Sequence, residues 1–270
     1  MLAVLAGLPP FPIVPAAADD SVGWISVCPF SHRLRADPIV SPGTISMHLH
    51  DFFGSKSTNA NSTYKTLLAH GTTCAIRRDK AAYWIPSVEL KTSGKKVHPN
   101  AANFYYRDLV YPRRSVRAYP PALKVVAGNH DARAPQPTSI VYWGCDGGSK
   151  GGGFNHPVRC GTGFVTAHIN FPDCWDGVHT DSADHKSHMA YSVDPNDDGK
   201  RSCPRKHPVP VPRLIYTFRW PIHNGRNIKL SSGPYYTLHG DFFNAWVQSK
   251  LRTLVRNCIR ASRNCGKPGT

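Results

Sequence analysis

The sequence predicts a β-rich fold, all-β or α+β, in which antiparallel sheets carry long disulfide-stapled loops and one amphipathic helix lies near the C-terminus. Three observations predict it. The 270 residues include 24 Pro and 22 Gly, and proline disfavours long helices. Short apolar runs alternate with polar residues between turn signals, which is typical of strands. Eight cysteines occur without a Cys-x-x-Cys pair, which favours disulfides over a zinc ribbon or a thioredoxin motif.

Local patterns place the elements in order along the chain. Strands are predicted over 45–54, 81–90, 104–106 and 122–127, where apolar residues alternate or cluster between turn residues. The last element is a helix over 242–258, with Asp241 as its N-cap. Its apolar face repeats at helical spacing and consists of Phe243, Val247, Leu251, Leu254, Val255 and Cys258.

The eight cysteines permit 105 pairings in principle, so spacing alone does not assign them. Joining neighbours in order along the chain gives a working set of four disulfides. Each would stabilise the fold by about 2–4 kcal/mol. The pairs are Cys28–Cys74, Cys145–Cys160, Cys174–Cys203 and Cys258–Cys265.

The N-terminus and the charge bear on where the protein acts. Residues 1–18 form an apolar run that ends in small residues and resembles a secretory signal, although a basic start is missing. We expect residues 19–270 to form one secreted, extracellular domain without a transmembrane segment. The formal net charge is +16, which suits an anionic partner. The basic residues are scattered and match no nucleic-acid-binding motif, so we expect no nucleic acid partner.

Eight motifs follow one another along the chain: 48–54 (HLHDFFG), 83–86 (YWIP), 143–145 (WGC), 171–177 (FPDCWDG), 184–191 (DHKSHMAY), 203–204 (CP), 207–209 (HPV) and 239–243 (HGDFF). In this order they resemble the DUF1996 family, and the resemblance runs from about Cys28 to Cys265. It implies a secreted, disulfide-bearing protein of bacteria or fungi, and it implies no reaction.

One candidate chemistry is a metal site. On a strand, His48 and His50 point to the same face, because side chains repeat every second residue. Two neutral imidazoles there are suited to Zn²⁺ or Cu²⁺, with a third ligand from His185, His188 or His239 and an open position for water. A divalent metal is therefore a candidate cofactor, with His48, His50 and His185 as its leading ligand set.

A second candidate is metal-free cleavage of a polysaccharide. A carboxyl pair such as Asp176 and Asp241 would flank the glycosidic bond. If the polymer carries uronates, a lyase would need a base such as His185, His188 or Tyr191. Sugar rings and acidic groups would be bound by aromatic and basic side chains. The candidates for these contacts are Trp84, Trp175, Tyr191, Trp246, Arg113 and Arg114.

These alternatives give one ordered expectation. The leading function is a secreted carbohydrate-active enzyme, a glycosidase or a lyase, that cleaves an extracellular polysaccharide. A metal-dependent hydrolase with the His-x-His site and a non-catalytic protein that binds cell wall or polyanion are the alternatives. The residues expected to converge on one groove are His48, His50, Asp176, His185, His188, His239 and Asp241.

Overall fold

The structure, a computed structural model, describes residues 22–146 and 152–269, so the signal-like segment at 1–18 lies outside the described residues. Its strands are β1 (Gly23–Val27), β2 (Phe30–Leu34), β3 (His50–Gly54), β4 (Ala82–Pro86), β5 (Val88–Leu90), β6 (Lys96–Val97), β7 (Ala101–Arg107), β8 (Lys124–Gly128), β9 (Val141–Asp146), β10 (Gly152–Phe154), β11 (Phe164–Asn170), β12 (Cys174–Trp175), β13 (Met189–Ala190), β14 (Val209–Pro210), β15 (Arg213–Trp220), β16 (Ile228–Leu230) and β17 (His239–Phe243). The α-helices are α1 (Tyr64–Ala69) and α2 (Gln248–Leu254), and short 3-10 helices span Arg113–Ser115, Gly225–Asn227 and Tyr235–Thr237.

Two antiparallel sheets dominate the described residues. A six-stranded sheet has the order β1-β7-β15-β11-β9-β10, and a five-stranded sheet has the order β2-β3-β4-β17-β8. Two small three-stranded sheets, β13-β12-β14 and β16-β5-β6, flank them. The predicted β-rich antiparallel fold is confirmed.

Aromatic side chains join the two large sheets face to face. Phe53 and Tyr83 of the five-stranded sheet lie against the six-stranded sheet, with ring centroids 5.0 Å from Phe218 and 4.0 Å from Phe104, respectively. All four side chains are fully buried. Burying aromatic rings of this size provides a large part of the hydrophobic stabilisation of such an interface.

The opposite face of the five-stranded sheet has a smaller core of its own. Phe52 and Trp84 lie there beneath Ala36 and Ile39 of the preceding loop and Leu67 of α1. Because side chains alternate along a strand, His50 of β3 and Asp241 of β17 share this second face. The loop over residues 35–48 therefore covers the strands that carry the histidine motifs.

All four disulfides form as predicted, joining the cysteines in chain order. Two of them tie a loop to a strand: Cys145–Cys160 at β9 and Cys174–Cys203 at β12. Cys258–Cys265 ties the C-terminal helical segment to the loop that follows it. Among the described residues, no helix has the length and apolarity needed to cross a membrane.

The C-terminal helix starts later than predicted. The helical segment comprises α2 and a π-helical continuation over Val255–Arg260, and Leu251, Leu254, Val255 and Cys258 of the predicted apolar face are buried. Residues 242–247 precede it, because β17 pairs with a strand on each side. The prediction of Asp241 as the helix N-cap was therefore wrong: Asp241 lies inside β17, and Val247 occupies the N-cap position.

Candidate functional site

Strand pairing brings two distant histidine motifs together. β4 lies between β3 and β17; His50 lies opposite Pro86, and Asp241 lies opposite Trp84. Residues directly opposite each other in an antiparallel pair point to the same face, as do residues two apart on a strand. His50, His239 and Asp241 therefore project from one face on either side of β4.

A glycine in β8 allows this strand to pack closely against the backbone beside His239. Gly128 of β8 lies opposite His239 with φ +80°, and a Cβ atom there would sit 2.7 Å from the carbonyl oxygen of Leu238. Only glycine adopts this backbone conformation readily and tolerates such an approach. The glycine thus lets β8 pair alongside His239.

His48 is the third histidine of the group. It precedes β3, and its Nε2 lies 3.3 Å from Nε2 of His239. Its ring centroid is 4.4 Å from that of His50 and 5.1 Å from that of His239. One potential ligand atom from each of the three histidines lies within 4.8 Å of the others. We call His48, His50 and His239 the histidine cluster.

Backbone carbonyls fix two of the three imidazoles. Nδ1–H of His50 donates to the carbonyl of Ala36 and Nδ1–H of His239 donates to the carbonyl of Thr237, both at 2.9 Å. In a neutral imidazole the other nitrogen then carries a lone pair. This second contact is what orients most metal-bound histidines in proteins. Both Nε2 atoms are therefore prepared to donate electrons to a ligand.

Burial keeps the cluster neutral. Desolvation is the main cause that lowers the pKa of His48 to about 4, and the neighbouring His130 adds to it. Burial also lowers the pKa of His239 to about 3, against the opposing effect of its hydrogen bond to Thr237. The pKa of His50 falls well below its usual range because of burial and the nearby His239. Near neutral pH the three imidazoles are uncharged, which is the state that binds metal ions.

Two buried carboxyl groups lie behind the histidines. Asp241 is fully buried, its Oδ2 lies 3.8 Å from Nε2 of His239, and neither of its oxygens has a hydrogen-bond partner among the described residues. Nε2 of His50 also has none. Asp37, His50 and Asp241 form a second group with ligand atoms within 4.8 Å. Unpartnered polar atoms in a protein interior are costly, and a bound ion or an ordered water would satisfy these.

A cavity of about 170 Å³ opens onto the cluster. It is lined by His48 and His239, and His130 and Asp131 stand at its wall, with His130 Nε2 3.1 Å from Asp131 Oδ2. The His130 ring centroid is 5.7 Å from that of His239. The cavity therefore gives a small molecule access to the histidines.

Comparison with known proteins assigns the family. The sequence model described as "Domain of unknown function (DUF1996)" matches residues 37–246. The chain belongs to the DUF1996 family. No curated protein and no solved structure gives a significant match. The range shared with DUF1996 includes all three members of the histidine cluster.

Three of the seven residues expected to converge have other partners in this DUF1996 chain. His185 Nδ1 lies 2.8 Å from Asp181 Oδ1, and His188 bridges Ser182 Oγ and the carbonyl of Lys124. Asp176 accepts hydrogen bonds from its own turn, including the amides of Val178 and His179. The third histidine of the cluster is His239, and the ligand set His48, His50 and His185 is corrected accordingly.

The predicted sugar-binding residues divide by exposure. Trp84 and Trp246 are fully buried and offer no ring face to a polymer, so their assignment as binding platforms is corrected. Trp175 is half-buried and donates through Nε1 to the carbonyl of His179. The hydroxyl of half-buried Tyr191 donates to the carbonyl of Asn170. Arg113 and Arg114 lie on an exposed 3-10 turn, where Arg113 pairs with Asp108.

Sequence reasoning missed three residues of the site: Asp37, a turn residue in the loop before β3, and the pair His130 and Asp131. His130 and Asp131 follow β8 in a short Gly-Asn-His-Asp turn with no local signal of function. They reach the cavity because β8 pairs with β17, a contact between residues more than 100 positions apart. Knowing this pairing would have identified them.

Proposed function

We propose that the chain is a secreted, metal-dependent hydrolase that cleaves an extracellular polysaccharide, with a divalent transition metal held by His48, His50 and His239. The 3.3 Å distance between Nε2 of His48 and Nε2 of His239 is the observation that supports the metal site in this proposal. Two nitrogens that each lie about 2.0–2.1 Å from a tetrahedral zinc ion are about 3.3–3.4 Å apart. The separation of these two atoms therefore suits a shared ion.

The donor set favours a particular class of metal. Imidazole nitrogens suit Zn²⁺, Cu²⁺ and Ni²⁺, whereas Mg²⁺ and Ca²⁺ prefer oxygen ligands. Burial raises the pKa of the Asp241 carboxyl well above its usual range, which favours its neutral form without an ion. A divalent ion nearby would favour the carboxylate, whose charge would partly offset that of the ion. An ion would also supply a partner for Nε2 of His50, which otherwise has none among the described residues.

A bound ion of this class lowers the pKa of a coordinated water toward neutrality, which is the chemistry that hydrolysis needs. The chain's own residues then have separate tasks. His50 and His239 are oriented by the carbonyls of Ala36 and Thr237. His130 stands at the cavity wall, where its imidazole can accept and return a proton, and the carboxylate of Asp131 orients its ring.

The paired-carboxyl mechanism has less support. Such a mechanism needs two carboxyl groups that face the same glycosidic bond. Asp241 is fully buried, and the carboxylate of Asp176 is taken up by its own turn. The four disulfides support an extracellular location for the proposed reaction, because such bonds persist in oxidising compartments.

The test is chelator-sensitive cleavage. The purified protein is loaded with Zn²⁺ or Cu²⁺ and incubated with a panel of neutral and acidic polysaccharides, and new reducing ends are measured. We expect activity that a chelator abolishes and the same metal restores. His48→Ala should lose at least about 100-fold in rate, because removing a metal ligand should cost no less than losing a group that only supports one, for which the cost is about 10- to 100-fold. His185→Ala is the matched control and should keep the activity.

Any one of three results overturns the proposal. Cleavage that persists in chelated protein would return the reaction to metal-free acid–base chemistry. Products that absorb in the near ultraviolet would indicate elimination by a lyase instead of hydrolysis. Tight binding of polymers without any cleavage would identify a binding protein.

A further inference from the structure

A second, larger cavity lies next to the one that opens onto the histidine cluster. Its volume is about 750 Å³, and its apolar floor consists of Leu49, Ile228 and Leu230. Ser231 and Ser232 line both cavities. The two cavities are therefore neighbours across these serines, and a chain molecule lying in the larger one would reach toward the histidines.

The wall of the larger cavity is basic. Its charged residues are Arg35, Lys91, Lys96, Lys229 and one acid, Glu89. We call the larger cavity, with this charged wall, the basic groove. The Glu89 carboxylate lies 2.8 Å from the ammonium of Lys229 and 3.6 Å from that of Lys96. Four cations against one acid leave a net charge of +3 on the wall.

The cations remain accessible to a ligand. Lys91, Lys96 and Lys229 are exposed. They project from the turn between β5 and β6, from β6 and from β16, respectively. Lys91 donates to the carbonyl of Arg226, and Arg35 donates to the carbonyl of Met47. These backbone contacts position Arg35 and Lys91 without neutralising their charge.

We infer that the substrate is an acidic polysaccharide whose carboxylate-bearing sugars, such as uronates, lie in the basic groove. This inference rests on the proposed function and names its substrate class. The hydroxyl of Ser231 donates to the carbonyl of Leu49, and that of Ser232 is hydrogen-bonded to Thr237. Their oxygens can still accept hydrogen bonds from sugar hydroxyls, and the half-buried ring of Tyr235 lies at the groove wall. Ion pairs between polymer carboxylates and the lysines hold the chain in register beside the histidine cavity.

The composition of the groove favours a polyuronate over a nucleic acid. Proteins that bind single-stranded nucleic acid combine a basic path with several aromatic platforms for successive bases. The groove has one aromatic residue, Tyr235, and its wall includes the carboxylate of Glu89. A polymer with one charge per sugar and a hydroxyl-rich surface matches it better.

The experiment compares polygalacturonate with its neutral methyl ester, using the full chain after chelation so that binding is measured without cleavage. Isothermal titration is done at low ionic strength, because exposed charges are screened by salt. We expect the acidic polymer to bind at least tenfold more tightly than the ester. The double variant Lys91→Glu/Lys229→Glu should lose that preference.

The matched control is Lys65→Glu/Lys206→Glu, which makes the same change in net charge at exposed lysines outside the groove. It should keep the tenfold preference. Equal binding of the acid and the ester by the wild-type chain would overturn the inference, and so would an equal loss in the control variant. Tighter binding of a single-stranded oligonucleotide than of polygalacturonate would also overturn it.

The failure of this inference is separable from failure of the proposed function. Groove variants should keep the metal content of the wild-type chain, whereas His48→Ala should keep the preference for polygalacturonate and lose the metal. Loss of metal binding with intact polymer binding would contradict the metal site alone. A metal-dependent enzyme that cleaves only neutral polymers would contradict the basic groove alone.

Discussion

The histidine cluster and the 176–188 segment are both rich in titratable side chains, and the structure uses them in opposite ways. In the 176–188 segment, the acids and histidines are hydrogen-bonded to one another and to the local backbone. At the cluster, Nε2 of His50 has no hydrogen-bond partner among the described residues, and neither have the two carboxyl oxygens of the adjacent Asp241.

The contrast shows that the density of titratable residues in a sequence is a poor guide to the site. Asp, Ser and His close together in sequence readily form local turns, because their side chains reach nearby backbone groups. In the cluster, backbone carbonyls take up Nδ1 of His50 and of His239. Nε2 of His239 faces His48, and Nε2 of His50 has no partner among the described residues. Buried potential ligand atoms without a hydrogen-bond partner therefore distinguish the candidate site from a hydrogen-bonded loop.

The largest expected effect is stabilisation by metal. An ion at a concentration 1,000 times its dissociation constant stabilises the folded protein by about 4 kcal/mol. Adding Zn²⁺ to the chelated wild-type chain should raise its thermal midpoint accordingly. The His188→Ala variant should gain the same increment, and the His239→Ala variant should gain none. An equal gain in both variants would place the ion outside the histidine cluster.

The carboxyl group behind the cluster gives the next effect. Asp241→Asn removes the carboxyl group beside His239 that a bound ion would hold in its charged form, so the affinity for metal should fall about 10- to 100-fold, as for other groups that support metal ligands. The chelated variant should be at least as stable as the chelated wild type, because no hydrogen bond of Asp241 is lost. Competition with a chromogenic chelator measures the affinity, and an unchanged value would remove Asp241 from the site.

Substitutions in the 176–188 segment should change the stability of the protein and leave its metal content unchanged. His188 is buried and joins Ser182 Oγ to the carbonyl of Lys124. Because two hydrogen bonds are lost, His188→Ala should lower the free energy of unfolding by about 1–2 kcal/mol in urea. Its metal content should equal that of the wild type. A loss of metal with unchanged stability would reverse the roles assigned to the two regions.

Acid should reveal the smallest effect. Asp184 accepts hydrogen bonds from the amides of Ser187 and Lys186 and from the hydroxyl of Ser182, and these lower its pKa below the usual value of 3.8. A carboxyl whose pKa is lower in the folded state stabilises the fold above its usual pKa and loses this contribution as the pH falls below it. Asp184 is exposed, so solvent screens its charge, and Asp184→Asn should cost at most about 1 kcal/mol at pH 7 and progressively less as the pH falls below 3.8. A cost that stays constant with pH would show that the carboxylate charge is not involved.

The sequence predicted the local features of the fold well and the non-local ones poorly. Alternating patterns around His50 and Trp84 identified strands, and joining cysteines in order identified all four disulfides. The 239–243 segment was harder, because the apolar residues that follow it at helical spacing extend the apparent helix backwards. Pairing on both sides of β17 outweighs that pattern.

The same difference between local and non-local features applies to the candidate site. His48, His50 and His239 stand in recognisable motifs, but choosing His239 over His185 as the third member depends on β4 separating β3 and β17. His130 and the basic groove depend on contacts between segments far apart in sequence. Periodicity and spacing report neighbours along the chain, and these features are set by neighbours in space.

The most direct test of the histidine cluster is the metal content of the purified chain by elemental mass spectrometry, after loading with Zn²⁺ and removal of excess ion. We predict about one ion per wild-type chain and per His185→Ala chain, and none in His48→Ala or His239→Ala chains that remain folded by circular dichroism. No ion in the wild-type chain, or one ion retained by both cluster variants, would contradict the account.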